Sequence, residues 1–489
     1  MRSMTWMTRV LLLLFLSIPL FGQPSQCPTT IVGEPVDCSP PTPTAAPVAF
    51  NGDTGPMRVR KSAFELSATE VAELKLAFKK LRDIAANDPT DPRGWLLQAN
   101  VHCWYCGGGQ DFLSGPEIHG GYLFFPWHRT YLYTVEKILG ELVGNPSFAL
   151  PYWDWDTPGR DQLPPPYITP NDSTNSLYDA RRGATPGLTM PDWTSVNGSA
   201  FQKVMDAPTW ELFMGTPNSP DSSMGSLEGG PHGNVHIWTG DPSGDCALSD
   251  MGVLATAAQD PIFFAHHANI DRLWSVWLST AATPAHTNPT ATVNGNTVTD
   301  PNWLQQPWFY YNEDKVWYAI TVADTIHPAG RLHYTYKPPT LPAAHAVMAM
   351  ALPGAARVRN EPHTVSISSQ PVAPPAPAPI RVLHIDGVLL PPGLTASIRV
   401  FINSPNATHA TSNDDPNYVG QFTIVPHRGG TSGHAKKYNV AFHLTPEQAA
   451  QLGRSATLQV TLVPMSSSGR ARNVNLTYDR IYITELPAR

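Results

Sequence analysis

Two kinds of hydrophobic periodicity divide this chain of 489 residues. In the segment SATEVAELKLAFKKLRDI, Val71, Leu74, Phe78 and Leu81 recur at helical spacing behind Ser67 and Glu70, a pair typical of a helix start. Beyond residue 380, apolar and polar residues alternate in short segments separated by Gly, Pro, Asn and Ser: IRVLHI, ASIRVFI, YVGQFTIV, YNVAFHL, ATLQVTL and NVNLTYDRIYI. The pattern predicts a helical region followed by a β-sandwich of roughly 110 residues.

The same patterns set the expected domain boundaries. The N-terminus combines Arg2 and Arg9 with the apolar run 10–21, which is typical of a secretory signal peptide and too short for a comfortable membrane span. No later segment is apolar for long enough to span a bilayer, so we expect a protein outside the cytosol and not in a membrane. The expected divisions are a signal peptide at 1–22, a Pro-rich arm at 23–55, a helical domain with long loops at 56–340, a Pro/Ala-rich linker at 341–380 and the sandwich at 381–489.

Composition narrows the classes of partner. The net charge of −7 is small and the chain has no tract rich in Lys or Arg, so we expect no binding to nucleic acid or to anionic lipid. Prolines number 51, about twice the usual share, which favours a loop-rich protein. Nothing in the sequence indicates an oligomeric state.

Five cysteines add a question about redox chemistry. They are Cys27, Cys38, Cys103, Cys106 and Cys246, and their odd number leaves at least one without a disulfide partner in an oxidising compartment. Cys103 and Cys106 have the spacing of a redox or zinc motif, but the chain has no second pair of this kind.

Histidines carry the candidate chemistry. The segment HGGYLFFPWHRTYLYTVE places two of them nine residues apart around an aromatic run, which alone is also compatible with a packed core. In PHGNVHIW two histidines are four residues apart, which puts them on one face of a helix, and DPIFFAHHANID contains two more. The histidines form two sets of three: His102, His119 and His128, then His232, His236 and His267.

Two nitrogen-only sets predict two metal ions. Imidazole suits both copper and zinc, and a zinc site with three protein ligands and a water is compatible with either set. Paired sites in aromatic, water-excluding sequence fit copper better, because copper binds dioxygen and accepts electrons.

These segments resemble the copper signatures of the tyrosinase family. His119–Glu136 is similar to the first signature, and DPIFFAHHANID is similar to the second, with a His four residues before Asp271. The stretches HCWYC, FALPYWDWD, SLYDARR and VHIWTG look like the plant-type polyphenol oxidases. The resemblance covers roughly residues 55–340. It implies a mainly α catalytic domain, a four-helix-bundle dicopper core with long loops, followed by a C-terminal β-sandwich domain.

The resemblance also implies roles for individual residues. His102, His119 and His128 would bind the first copper, and His232, His236 and His267 the second, with His266 beside the ligands. Asp271, Arg129 and Glu136 would brace the ligand-bearing helices, although structural salt bridges describe them equally well. In similar enzymes the second Cys of CWYC forms a thioether, here Cys106 to His119. Cys103 would pair with Cys38, and we expect Cys27 and Cys246 to pair.

The implied activity is oxidation of catechols to o-quinones by two copper ions and O2, on small phenolic substrates. Glu228 stands where related enzymes hold a residue proposed to fix a proton-accepting water, although it also suits an ordinary helix start. Gly233 replaces the Asn often found in strong monophenol hydroxylases, so we expect weaker hydroxylation. Leu254 replaces a bulky Phe above the second copper, which predicts tolerance of bulkier phenols.

Two alternatives stay open at this point. Hemocyanins use the same six-histidine unit to carry oxygen without turnover, so the histidines alone do not establish catalysis. The C-terminal domain either stabilises the enzyme or covers the copper pocket and keeps it latent, with the linker as the cleavable element.

Overall fold

A computed structural model describes most of the chain from residue 45 onwards. The described residues are 38, 43, 45–106, 117–219, 221–241, 250–282, 285–338, 363–368, 380–390, 395–426, 437–452, 457–469, 474 and 476–486. Within these ranges, no helix is both long enough and apolar enough to cross a membrane.

The first long helix begins at the predicted residue. The Ser67 hydroxyl accepts a hydrogen bond from the Glu70 N–H, and the Glu70 carboxylate accepts one from the Ser67 N–H. The helices are α1 (Ala68–Asn87), α2 (Trp95–Cys106), α3 (Phe124–Val143), α4 (Pro165–Ile168), α5 (Gly198–Met205), α6 (Trp210–Met214), α7 (Gly233–Gly240), α8 (Ile262–Ser279), α9 (Pro301–Gln305), α10 (Val322–Thr325), α11 (Pro328–Arg331) and α12 (Pro446–Leu452). Short 3₁₀ turns lie at Asp192–Thr194 and Ala257–Gln259, and a π-helical turn at Glu228–His232.

The strands concentrate in the C-terminal third. They are β1 (Val48–Ala49), β2 (Arg58–Arg60), β3 (Ser223–Met224), β4 (Thr290–Val293), β5 (Asn296–Thr299), β6 (Pro307–Tyr311), β7 (Trp317–Thr321), β8 (Tyr334–Tyr336), β9 (His363–Ser368), β10 (Ile380–Val388), β11 (Ala396–Ile402), β12 (Tyr418–Ile424), β13 (Tyr438–His443), β14 (Thr457–Met465) and β15 (Arg480–Leu486). The last six match the six predicted segments, because alternation of apolar and polar residues is the two-residue period of a β-strand.

Two four-stranded sheets form the sandwich, with strand orders β15-β10-β13-β3 and β12-β11-β14-β9. Strand β9 lies inside the stretch predicted as a linker and pairs antiparallel with β14. Its sequence HTVSIS alternates Val365 and Ile367 with polar residues, but the Pro/Ala-rich stretch separates it from the other predicted segments. Strand β3 comes from the helical region and pairs in parallel with β13, so one sheet of the sandwich extends into the helical domain.

The helical domain is closed by pairing of its two ends. Strand β2 near its start pairs in parallel with β8 near its end, with Arg58 opposite Tyr334 and Arg60 opposite Tyr336. Helix α3 packs against α1 and α8 in a core rich in aromatic side chains. Helices α2, α3, α7 and α8 carry histidines of the predicted sets, so this core positions the candidate site.

Candidate metal centre

The first predicted set of histidines converges at one buried point. His102 lies on α2, His128 on α3, and His119 in the turn before α3. The His102 ring centroid is 5.4 Å from that of His119 and 5.6 Å from that of His128, and the His119–His128 distance is 5.4 Å. One ring nitrogen from each residue lies within 4.8 Å of the others. This nearly equilateral arrangement suits a single metal ion.

The second set converges in the same way beside the first. His232 ends the π-helical turn, His236 lies on α7 and His267 on α8. The Nε2 atoms of His236 and His267 are 3.2 Å apart, the separation of two ligands on one metal ion. Across the two sets, the His128 and His267 rings stack with centroids 4.1 Å apart.

Hydrogen bonds at the far side of the rings orient the ligand atoms. Nδ1–H of His128 donates to the Phe124 carbonyl at 2.7 Å, and Nδ1–H of His236 donates to the Met251 carbonyl at 2.8 Å. His232 donates in the same way to the Glu228 carbonyl at 3.0 Å. A carbonyl can only accept, so these rings carry their proton on Nδ1 and present the Nε2 lone pair to the interior. Among the described residues, Nε2 of His128 and of His232 has no hydrogen-bond partner, so its lone pair is available to a metal ion.

His266 lies next to the second set but has the opposite tautomer. Its ligand atom falls within the same 4.8 Å grouping as His232, His236 and His267. However, its Nδ1 accepts a hydrogen bond from the Trp155 indole N–H at 3.1 Å. A neutral ring that accepts at Nδ1 carries its proton on Nε2, which then offers no lone pair to a metal. The geometry favours His266 as a neighbour of the ligands, as the spacing from Asp271 predicts.

Burial keeps these imidazoles neutral. It is the main cause that lowers the pKa of His102, His128, His232 and His267 well below the usual value, with neighbouring histidines adding to the effect. Burial also lowers the pKa of His236 to about 3. Metal ligation requires the neutral ring, so the protein interior prepares the ligand form.

The cysteines of CWYC lie at the end of α2, beside the first set. Cys103 forms a disulfide with Cys38 across 65 residues of sequence, with Cα atoms 5.3 Å apart. Cys106 is buried, and its Sγ–H donates to the Cys103 carbonyl at 3.2 Å. The predicted Cys27–Cys246 pair lies outside the described residues, and the thioether from Cys106 to His119 stays a prediction.

The three residues predicted to brace the helices lie in one buried ionic network. Arg129 on α3 donates through Nε to the Asp271 carboxylate on α8, and its guanidinium lies 3.7 Å from the Trp274 ring centroid. Glu136, also on α3, accepts from Nε of Arg58 and Nε of Arg60, both at 2.8 Å. These ion pairs link α3, which carries His128, to α8, which carries His267. They also link α3 to β2.

Several members of this network were not identified from the sequence. The Tyr334 hydroxyl donates to Asp271 at 2.6 Å, Tyr336 donates to the same oxygen, and Arg60 reaches it at 3.2 Å. Arg58 also pairs with Asp53 at 2.7 Å. The alternation RVR at 58–60 and YTY at 334–336 was the available signal, but only the fold brings these segments together.

A cavity lies between the two sets of histidines and the sandwich. His119, Glu228, His232, Gly233 and Leu254 line it from the helical domain together with Met224. The sandwich contributes four residues that no sequence pattern singled out: Thr423, Ile424, Val425 and Tyr438. The predicted water-holding, activity and gate positions therefore share one cavity with His119 and His232 of the predicted sets.

Each predicted position in this cavity has a specific contact. The Glu228 carboxylate accepts a hydrogen bond from the Gly120 N–H at 2.7 Å, in the loop that carries His119. A Cβ on Gly233 would meet the Thr423 side chain at 3.1 Å, so the absent side chain makes room for the sandwich. The Leu254 N–H donates to the Pro426 carbonyl at 3.1 Å. The neighbouring Asn234 accepts from the Thr423 and Ser397 hydroxyls.

Comparison with known proteins places this arrangement among copper enzymes. The common central domain of tyrosinase matches residues 92–203 and 170–280. The polyphenol oxidase middle domain matches residues 297–347, and the chloroplastic polyphenol oxidase C-terminal domain matches residues 378–478.

Relatives and solved structures agree with these matches. Chloroplastic polyphenol oxidase B of Solanum lycopersicum is 30% identical over 88% of this chain and 78% of its own length, and the chloroplastic enzyme of Malus domestica is 31% identical over 84% and 75%. The structure of latent apple tyrosinase is 27% identical, covers 90% of this chain and 100% of its own, and has a TM-score of 0.71. A functional unit of octopus hemocyanin shares the fold at 18% identity, with a TM-score of 0.52 over 87% of this chain and 99% of its own.

Proposed function

This chain belongs to the tyrosinase and polyphenol oxidase family, whose members are copper-dependent phenol oxidases, and on that premise we propose that it oxidises o-diphenols to o-quinones with O2 and hydroxylates monophenols more weakly. The observation that carries the proposal is the convergence of two histidine triads in which Nδ1–H donors turn Nε2 lone pairs inward.

The proposed ligands follow from that convergence. His102, His119 and His128 hold the first copper; His232, His236 and His267 hold the second. The bound copper pair supplies O2 binding and accepts the electrons of the phenol. The surrounding chain keeps the ligands neutral, fixes their direction and excludes water, because Phe124 and Phe263 pack directly against the imidazoles.

Glu228 is proposed to take up the phenol proton through a water. It lies four residues before His232, lines the cavity, and is fixed by the Gly120 N–H. A monophenol must lose its proton before hydroxylation, whereas a catechol is the easier substrate. We expect Glu228→Gln to lower kcat for tyramine by roughly 10²-fold, the usual scale of a proton-transfer role, and to lower 4-methylcatechol oxidation much less. Equal losses on both substrates would contradict this role.

Leu254 is proposed as a small gate. It lines the cavity beside His232, and its side chain is smaller than the Phe of many plant-type enzymes. For bulky phenols, kcat/KM should therefore be higher for the unchanged protein than for the Leu254→Phe variant. The comparison uses a panel of phenols with increasing ring substitution. A panel with no difference between the two proteins would remove the proposal.

The sandwich is proposed to shield the site. Ile424 and Val425 line the same cavity as His119 and His232, so the sandwich contributes part of the wall beside the candidate metal centre. Protease cleavage between residues 340 and 361, which leaves β9 with the sandwich, should raise catechol oxidation once the sandwich separates. Unchanged activity after cleavage and separation would show that the domain only stabilises the enzyme.

An oxygen carrier is the second candidate, because octopus hemocyanin shares the fold. The deciding experiment is turnover of 4-methylcatechol by the copper-loaded, linker-cleaved protein. Quinone formation supports the oxidase, and reversible oxygen binding without quinone formation supports the carrier.

We further propose that residues 1–22 export the chain from the cytosol as a secretory signal peptide. The names of its relatives place those proteins in the chloroplast. N-terminal sequencing of the mature protein, together with cell fractionation, distinguishes secretion with cleavage near Gln23 from plastid import.

A further inference from the structure

A tyrosine of the chain itself lines the cavity at the histidines. Tyr438, the first residue of β13, is buried and lines the same cavity as His119 and His232. The His119 and His232 rings are roughly parallel with centroids 6.5 Å apart, and they belong to different triads. The cavity that Tyr438 lines is therefore bordered by one histidine of each triad.

The backbone holds Tyr438 at this place. Tyr438 pairs with Val388 of β10, and the next residues, Asn439 and Val440, pair with Ser223 and Met224 of β3. Strand β3 is four residues ahead of Glu228 in the helical domain. Backbone pairing with both domains thus fixes the position of Tyr438, and no movement of a surface side chain is needed to bring it to the cavity.

Two carboxylates lie near the phenol. Burial raises the pKa of Tyr438, and the charges of Glu117 and Glu228 raise it further. Glu228 lines the same cavity, and Glu117 lies 3.3 Å from Nδ1 of His119. Tyr438 therefore shares a cavity with the group proposed to accept the proton of a monophenol.

We propose that Tyr438 is a site of copper-dependent self-modification, in which the chain oxidises this tyrosine to an o-quinone. One oxygen atom of O2 enters the ring beside the phenol oxygen, and the other leaves as water. The phenolic hydrogen and the displaced ring hydrogen form that water. All four electrons that reduce O2 come from the tyrosine ring, two in hydroxylation and two in oxidation of the resulting catechol. The reaction needs no external reductant, and it rests on the phenol oxidation proposed above.

Slow monophenol chemistry is sufficient for this reaction. A phenol fixed at the site has a high effective concentration and no cost of binding, which raises its rate relative to a free phenol. One event per chain completes the modification, so turnover is not required. The Gly233 position, which predicts weak hydroxylation of added monophenols, is therefore compatible with complete modification of Tyr438.

The test uses the full-length chain purified without metal. It is loaded with Cu(I) under anaerobic conditions, exposed to ¹⁸O₂, and digested for mass spectrometry. We expect the peptide containing Tyr438 to gain one labelled oxygen atom, with loss of two hydrogens in the quinone form. Tyr418 is a matched internal control, because it is a buried tyrosine of the same domain that does not line this cavity. Zinc-loaded protein and Tyr438→Phe should show no gain at position 438.

Each other outcome has a defined meaning. An unmodified Tyr438 in a sample that oxidises 4-methylcatechol after linker cleavage overturns self-modification and leaves the proposed function intact. Absence of both reactions overturns both proposals. Equal labelling of Tyr418 and Tyr438, or labelling with zinc, shows non-specific oxidation and also overturns the inference.

Discussion

At the residue scale, two adjacent histidines on α8 differ in what their Nδ1 atoms contact. His266 accepts from Trp155, whereas Nδ1 of His267 has no hydrogen-bond partner among the described residues and its Nε2 faces His236. Counting four residues back from Asp271 selects His267 from the sequence alone. The contact that argues against His266 as a metal ligand is with Trp155, 111 residues away, where no local pattern reveals it.

This difference predicts opposite effects of the same substitution. His267→Asn should reduce bound copper by about half and abolish catechol oxidation, because one triad loses a ligand. His266→Asn should retain both copper ions, since asparagine can still accept from Trp155, with at most the 10–100-fold loss typical of residues that support ligands. Copper per chain is measured by atomic absorption after dialysis. Equal copper loss in the two variants would contradict the tautomer assignment.

At the scale of elements, the helices and strands follow from local periodicity, but the pairings between them do not. The spacing of Val71, Leu74 and Phe78 predicts α1, and alternation predicts the last six strands. The pairing of β2 with β8 joins segments about 275 residues apart in the sequence, and the pairing of β3 with β13 joins segments more than 200 residues apart. No periodicity encodes such contacts, so the sequence indicated the bracing residues Arg129, Glu136 and Asp271 without their partners.

The brace between α3 and α8 predicts a large loss of stability on Asp271→Asn. Asp271 accepts from Arg129, Arg60 and two tyrosines, and its arginine partners are almost fully buried. Removing its charge leaves buried guanidinium groups uncompensated, which costs roughly 3–5 kcal/mol in the free energy of unfolding. Denaturant titration of the metal-free protein measures this change without interference from copper.

The matched control for this prediction is a solvent-exposed pair on α1. Lys79 and Asp83 form an ion pair at 2.7 Å with both side chains at least half exposed. Asp83→Asn should change the free energy of unfolding by no more than about 0.5 kcal/mol. Similar destabilisation by Asp83→Asn and Asp271→Asn would show that the buried network does not brace the helices.

At the scale of the whole molecule, polar contacts hold the sandwich over the site. The Gln421 side chain donates to the Trp193 carbonyl at 2.7 Å, and the Thr423 hydroxyl donates to Asn234. Replacing both residues by alanine removes two buried hydrogen bonds and about 2 kcal/mol of the free energy that holds the sandwich on the helical domain. The population of molecules with the sandwich separated should then increase roughly 30-fold. We expect higher catechol oxidation by the uncleaved variant. Lys437→Ala, at an exposed ion pair with Asp479, should leave it unchanged.

A second cavity on the domain boundary contains a titratable group. His443 of β13 lines it together with Lys203 and Pro231 of the helical domain. Burial lowers the pKa of His443 to about 4; the Lys203 charge lowers it and the Asp206 charge raises it. When the sandwich separates, this imidazole should recover an ordinary pKa near 6.5. Between about pH 4 and pH 6.5, the form with the sandwich packed on the helical domain (the docked form) therefore binds fewer protons than the form with the sandwich separated.

The sign of the pH effect follows from that difference. Above about pH 6.5 His443 is neutral in both forms and its contribution to docking is complete. As the pH falls towards about 4, the separated form takes up a proton that the docked form resists, so docking weakens progressively and levels off below that pH. The measurement is the rate of catechol oxidation by uncleaved protein divided by the rate of cleaved protein, since this ratio cancels the pH dependence of catalysis itself. The ratio should rise as the pH falls from about 6.5 to about 4. His443→Gln, which keeps a polar side chain of similar size but cannot titrate, should flatten the rise. An unchanged rise in His443→Gln would mean that acid separates the domains through other groups.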